Sequence, residues 1–159
     1  MSKHDSGDFT LSMSLSKKHL NTNPEAVAFD LNMISARLKS ALPEISFALL
    51  LGSAQDGLVK ARSDFDLAVY LQPYRPDLDL YGAIDAALAD LLPGVRIDIG
   101  FLNKAEPVYR FESLKGTLLF ARDRELYARF FSLTCREYES QMASYERQLK
   151  YRKQAKHAV

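Results

Sequence analysis

Apolar positions along the chain follow helical and strand rhythms in turn. Val27, Leu31, Ile34 and Leu38 recur at spacings of four, three and four, which is one face of a helix. Asn23-Pro24 before them suits an N-cap followed by a proline at the first helical position. Leu42-Pro43 ends that helix. Ile45 to Leu51 is then a continuous apolar run that stops at Gly52-Ser53, as a buried strand opening into a loop does. Asp64 to Leu71 alternates: Phe65, Leu67 and Val69 share one strand face, and Asp64, Asp66 and Ala68 the other.

The pattern continues with a helical stripe of Leu80, Ile84, Leu88 and Leu91, closed by Pro93-Gly94. Val95 to Leu102 reads as a strand with Arg96 and Asp98 on one face and Val95, Ile97 and Ile99 on the other. Asn103 to Lys115 predicts a helix with Pro107 in its first turn and Gly116 just past its end. Thr117 to Ala121 is a short strand. Asp123 to about Tyr151 predicts one long helix with a seam of Tyr127, Phe131, Cys135, Tyr138, Met142, Tyr145 and Leu149. A helix of about 29 residues spans roughly 43 Å, more than a small domain needs. Its far end, from Tyr138 onward, is therefore expected to reach a partner, and Cys135 on the seam is expected to be a buried, inert thiol.

The resulting order, α-β-β-α-β-α-β-α, predicts a single α/β (α+β) domain, a small mixed sheet covered by helices. Residues 1–22 are serine-rich and polar, and read as a flexible N-terminal extension. Leu11, Met13 and Leu15 alternate there, so a short edge strand is the other reading. The domain is assigned to residues 23–151 and a basic tail to 152–159.

Composition narrows the chemistry. The 159 residues carry 21 Lys and Arg against 20 Asp and Glu, a net charge of +1. That is a poor footprint for a duplex nucleic-acid binder. One Cys allows no internal disulfide, which favours a reducing compartment. The three histidines are His4, His19 and His157, so residues 20–156 contain none. A core without histidine runs no Ser-His-Asp triad and holds no zinc through imidazoles. The longest apolar run, Phe47 to Leu51, is far too short to span a bilayer, and the polar start lacks an apolar signal core. A soluble cytoplasmic protein is expected.

Chemistry must then come from carboxylates, hydroxyls, Lys, Arg, Tyr or a bound metal, and the carboxylates form the informative cluster. Asp64 and Asp66, two apart on a strand, point the same way, about 6.6–7 Å apart along the backbone. Two like charges on one face of an apolar strand repel, and a cation relieves them. Mg²⁺ takes such hard oxygen ligands and keeps room for substrate phosphates. If the strand of Asp98 lies alongside, three carboxylates converge and could hold two ions. Gly52-Ser53, at the mouth of the preceding strand, lets backbone and hydroxyl donors approach a phosphate. Phosphoryl and nucleotidyl transfer need positioning and charge neutralisation rather than histidine.

Ten residues, Ala54 to Ser63, separate Gly52-Ser53 from Asp64-Phe65-Asp66. This resembles the signature of the DNA polymerase β-like nucleotidyltransferase superfamily, Gly-Ser, ten residues, Asp-any-Asp. Size, helix order and the later Asp98 strand resemble its minimal nucleotidyltransferase (MNT) members across roughly residues 24–140. The resemblance implies Mg²⁺ and a nucleoside triphosphate. It implies that Gly52 and Ser53 hold the triphosphate and that Asp64 and Asp66 bind metal. Asp98 would complete the metal site and help deprotonate the acceptor hydroxyl. Asp56 departs from the pattern, since many relatives carry a basic residue in that stretch. Proteins of this type are commonly antitoxins of a HEPN-domain ribonuclease toxin, transferring AMP from ATP to a toxin tyrosine. The alternatives are a non-catalytic antitoxin that masks the toxin by binding, and transfer to a small molecule such as an aminoglycoside.

Overall fold

The structure is a computed structural model that describes residues 23–158. The proposed N-terminal extension, residues 1–22, lies outside the described residues. The chain runs β1 (Val27–Ala28), α1 (Leu31–Ala41), β2 (Ile45–Leu50), a 3-10 turn (Gly52–Asp56), β3 (Leu58–Val59) and β4 (Phe65–Leu71). It continues through α2 (Leu78–Leu88), β5 (Ile97–Phe101), α3 (Pro107–Ser113), β6 (Thr117–Ala121) and α4 (Arg124–His157).

Four strands form a mixed sheet in the order β5-β4-β2-β6. β2 lies antiparallel to both β4 and β6, and β4 runs parallel to β5. Side-chain alternation divides the core between the two sheet faces. Ala48 and Leu50 of β2 and Phe65, Leu67 and Val69 of β4 face Ile34 and Leu38 of α1 and Leu80, Ile84 and Leu88 of α2. Phe47 and Leu49 of β2 and Ala68 of β4 face the other way, onto Phe130 and Tyr127 of α4. Every residue of β2 is buried, as a strand covered on both faces must be. On the second face Phe47 stacks on Tyr70, with ring centroids 4.9 Å apart, and meets Tyr127 and Phe130 at 5.1 Å. These contacts anchor α4.

The first helix begins later than its sequence pattern suggests. Val27 is not on α1; it belongs to β1 and pairs with Val59 of β3. Asp30 supplies the cap, its carboxylate accepting the Asn32 N–H at 2.7 Å. Asn23 instead donates its side-chain amide to the Lys60 carbonyl, tying the approach segment to the β3–β4 loop. α3 also starts late, at Pro107. Asn103 is occupied elsewhere: its amide accepts from Leu71 N–H and donates to Leu71 C=O, at 2.9 and 2.8 Å, extending the β4 edge.

α4 differs in two ways from its expected form. The packed stripe runs through Tyr127, Phe130, Thr134 and Tyr138, and Phe131 is 43% exposed. Cys135, beside that stripe, is half-buried rather than fully enclosed. On this stripe Phe130 meets both rings of the Phe47–Tyr70 pair, at 5.1 and 5.5 Å. The helix also runs on to His157, so residues 152–157 continue it rather than form a separate tail. Its 34 residues span about 51 Å. Tyr138 stacks on Phe111 of α3 at 3.9 Å, and Arg110 reaches Glu137 at 3.3 Å. From Tyr145 onward every described residue is exposed. Removing the chain from residue 145 onward is therefore expected to change folding stability by less than about 1 kcal/mol, read by thermal unfolding.

Candidate active site

The sheet brings two of the expected carboxylates side by side. Asp66 of β4 and Asp98 of β5 are direct partners in the parallel register. Adjacent strands lie about 4.8 Å apart, so the two carboxylates stand on one face at hydrogen-bonding strand distance. Asp64 lies just before β4 and contributes to the same negative field. Two backbone links hold this end of the sheet. Leu51 N–H donates to Asp66 C=O at 2.9 Å, and Phe65 N–H donates to Arg96 C=O at 2.9 Å.

Gly52 lies on the other side of Asp66. Its φ is +68°, a left-handed conformation that side chains rarely adopt. A Cβ there would stand 2.6 Å from Asp66 Oδ2. Glycine is needed at this position twice over, once for the backbone and once for the carboxylate. The 3-10 turn that begins here is braced by Gln55, whose amide donates to Gly52 C=O at 3.0 Å and accepts from Thr117 Oγ1 at 2.9 Å. Ser53 is exposed at its start. The carboxylate of Asp56 is turned into its own loop, accepting Leu58 N–H at 3.2 Å, which explains an acidic residue here in backbone terms.

Burial raises the Asp66 carboxyl above its ordinary pKa; the charges of Asp98 and Asp64 push the same way, and Arg96 opposes them. The folded chain therefore holds this proton more tightly than the unfolded chain. Stability falls as pH rises from the ordinary carboxylate value through the raised one, and the deficit persists at neutral pH. Asp66→Asn mimics the protonated form. In metal-free buffer the variant is expected to melt at a higher temperature than wild type at pH 7, with the difference vanishing near about pH 3.

That charge conflict is what a bound divalent cation would relieve, and the donor set suits Mg²⁺. Among the described residues, no three His, Cys, Asp or Glu side chains stand together as a ready-made metal cage. The carboxylates thus form an open edge on which water and phosphate oxygens would complete a coordination shell.

The carboxylates open into a cavity of about 450 Å³ lined by Leu51, Asp66, Leu67, Asp98, Ile99, Gly100 and Tyr109. Tyr109, from α3, is a member of the site that the residue pattern does not indicate. Its phenol is half-buried, and burial raises its pKa; the Ser113 side chain opposes the rise, and the charges of Asp98 and Asp66 add to it. The available signal is Gly100, an isolated glycine inside a strand, which marks a close approach by another group. Among the described residues no helix is long and apolar enough to cross a membrane.

The geometry can be set beside known proteins. No curated protein matches the chain. Among solved structures, a chain of a mutant MntA–HpeT toxin–antitoxin complex aligns with a TM-score of 0.62 at 20% identity, covering 76% of this chain and 96% of that one. A toxin–antitoxin structure with AMP-PNP aligns at 0.60 and 22% identity, covering 76% and 96%. A structure of the tri-AMPylated Shewanella oneidensis HEPN toxin in complex with MNT antitoxin aligns at 0.57 and 18% identity, covering 76% and 92%. At such identities the likeness establishes a shared fold. The polymerase β nucleotidyltransferase family matches residues 32–125, more than half of the sequence and a span that contains Gly52, Asp66 and Asp98. This chain belongs to the polymerase β nucleotidyltransferase family.

Proposed function

We propose that the protein is an MNT-type antitoxin that transfers AMP from ATP to a tyrosine hydroxyl of a cognate HEPN-domain toxin. The observation that carries this reading is the pairing of Asp66 with Asp98 beside the left-handed Gly52, inside a nucleotidyltransferase family match. The fold likeness to complexes described as an AMPylated HEPN toxin with its MNT antitoxin, and as a toxin–antitoxin with AMP-PNP, supports the choice of donor and partner.

Gly52 and Ser53 hold the triphosphate, Gly52 letting the backbone come close because it has no Cβ and Ser53 adding its hydroxyl. Asp64, Asp66 and Asp98 are the residues that would hold Mg²⁺. When bound, Mg²⁺ would neutralise phosphate charge and polarise the reacting oxygens. Asp98, at the outer strand, takes the proton from the acceptor hydroxyl. The acceptor oxygen forms a bond to the α-phosphorus as the bond from that phosphorus to the bridging oxygen breaks, and pyrophosphate leaves. Positioning by a rigid strand pair supplies most of what such a transfer needs.

Incubation of the chain with purified toxin, Mg²⁺ and α-labelled ATP tests the reading. Label is expected on a toxin tyrosine. Toxin that is neutralised without gaining label would favour masking by contact, and label on an aminoglycoside instead of protein would favour the small-molecule reading.

A further inference from the structure

Across the sheet order β5-β4-β2 the site is laid out in a row. Gly52 flanks Asp66 on the β2 side, and Asp98 and Gly100 flank it on the β5 side. With the triphosphate on Gly52 and Ser53, the β5 flank remains for the acceptor. β5 is an edge strand of this sheet, so among the described residues no further strand pairs beyond that flank.

Tyr109 stands over it. Rooted in α3, its ring reaches back to the sheet, and its hydroxyl lies where a Cβ on Gly100 would project. Gly100 is not among the positive-φ glycines, so its backbone alone does not demand glycine. The missing side chain makes room for the phenol. Tyr109 is 39% exposed, so its ring forms both the wall of the cavity and part of its rim. A phenol already resting beside Asp98 occupies the kind of space that a phenolic acceptor requires.

We propose that Tyr109, seated on Gly100, is a plug on the acceptor side that keeps water from the α-phosphorus and yields to an incoming phenol. The inference rests on the nucleotidyl-transfer reading above. Without the plug, water attacks in place of the acceptor. A water oxygen bonds to the α-phosphorus, the bond to the bridging oxygen breaks, AMP and pyrophosphate form, and the proton leaves to solvent. Excluding water from a reactive site is a recognised role of such groups.

The test is AMP release from ATP by the full chain alone, with Mg²⁺ and no protein acceptor. Tyr109→Ala is expected to raise release on the order of tenfold over wild type. Tyr109→Phe, which keeps the ring, is expected to give a smaller rise. Gly100→Ala places a methyl where the hydroxyl sits and is expected to raise release by displacing the ring. Tyr81→Ala, removing a ring on α2 that packs on Phe101, is the control expected to match wild type. Adding Asp66→Asn to Tyr109→Ala is expected to abolish the gain. If Asp66→Asn abolishes release but Tyr109→Ala does not raise it, the plug is overturned and the transfer reading stands. If release survives Asp66→Asn, or no variant releases AMP, both are overturned. An adenylyl group found by mass spectrometry on Tyr109 of the wild type would also overturn the plug, making the residue an acceptor.

Discussion

Replacing Asp66 by Asn is expected to reduce AMP transfer by on the order of 10³-fold while leaving the fold intact. The substitution is nearly isosteric, so Gly52 and Leu51 keep their contacts with residue 66. It removes one of the two charges paired across β4 and β5. Asp98→Asn is expected to fall by a similar factor, because under the proposed function it would remove both a metal ligand and the group that takes the acceptor's proton. The two losses should not add in the double variant, since both residues serve one site. The Asp66 variant separates activity from stability: transfer collapses while the metal-free protein melts higher at pH 7. A loss of activity accompanied by a lower melting temperature would instead indicate a damaged fold. Initial rates of label transfer, taken with thermal unfolding of the same samples, decide between these outcomes.

Gly52→Ala acts on the same carboxylate from the other side. A left-handed conformation at a non-glycine residue costs about 1–2 kcal/mol. The new Cβ would stand 2.6 Å from Asp66 Oδ2, well inside van der Waals contact, so the carboxylate must rotate or the turn must move. Either shift would displace the turn proposed to hold the triphosphate relative to the Asp pair. Misplacement by about 1 Å costs on the order of 10²-fold in rate. The variant is therefore expected to lose about 10²-fold in transfer and about 1–2 kcal/mol in stability. Equilibrium urea unfolding measures the second, and label transfer the first. Wild-type transfer rates in the Gly52→Ala variant would show that the turn does not hold the nucleotide.

Much of this arrangement is visible in the residue pattern, for identifiable reasons. β2, β4 and β6 declare themselves because a strand in a covered sheet is either continuously apolar or strictly alternating. The alternation of Phe65, Asp66 and Leu67 sets the face of Asp66, and the placement of Asp98 opposite it follows once the strands are neighbours, whereas Asp64 precedes the strand and is not part of that register. The start of α1 is ambiguous in the pattern because Val27 fits a helical stripe as well as a strand, and only pairing with Val59 decides between them. The packed face of α4 keeps Tyr127 and Tyr138 of the expected seam but carries Phe130 and Thr134 in place of the expected Phe131 and Cys135. Phe130 and Phe131 are equally apolar, and it is the contact of Phe130 with Phe47 and Tyr70 on distant strands that distinguishes them, which no local pattern encodes. Tyr109 is hidden for a similar reason: its role depends on Gly100 in another element, nine residues earlier.

Uneven charge fits the same division of labour. The net charge of +1 averages an acidic body, net −3 before Arg122, and a basic remainder, net +4 from Arg122 onward. The basic residues Arg147, Lys150, Arg152, Lys153 and Lys156 lie on the exposed end of α4, far along the chain from the carboxylates. Under the proposed function, a cation at the acidic body would ease the approach of a triphosphate.

Whether Asp66 and Asp98 place AMP on a partner tyrosine is read from the intact mass of the toxin purified after co-expression with wild-type protein and, separately, with the Asp66→Asn/Asp98→Asn variant. Toxin carrying one or more adenylyl groups, mapped to tyrosine, is expected with wild type, and unmodified toxin with the variant. Unmodified toxin in both preparations, with toxicity suppressed equally by each, would contradict transfer by this pair.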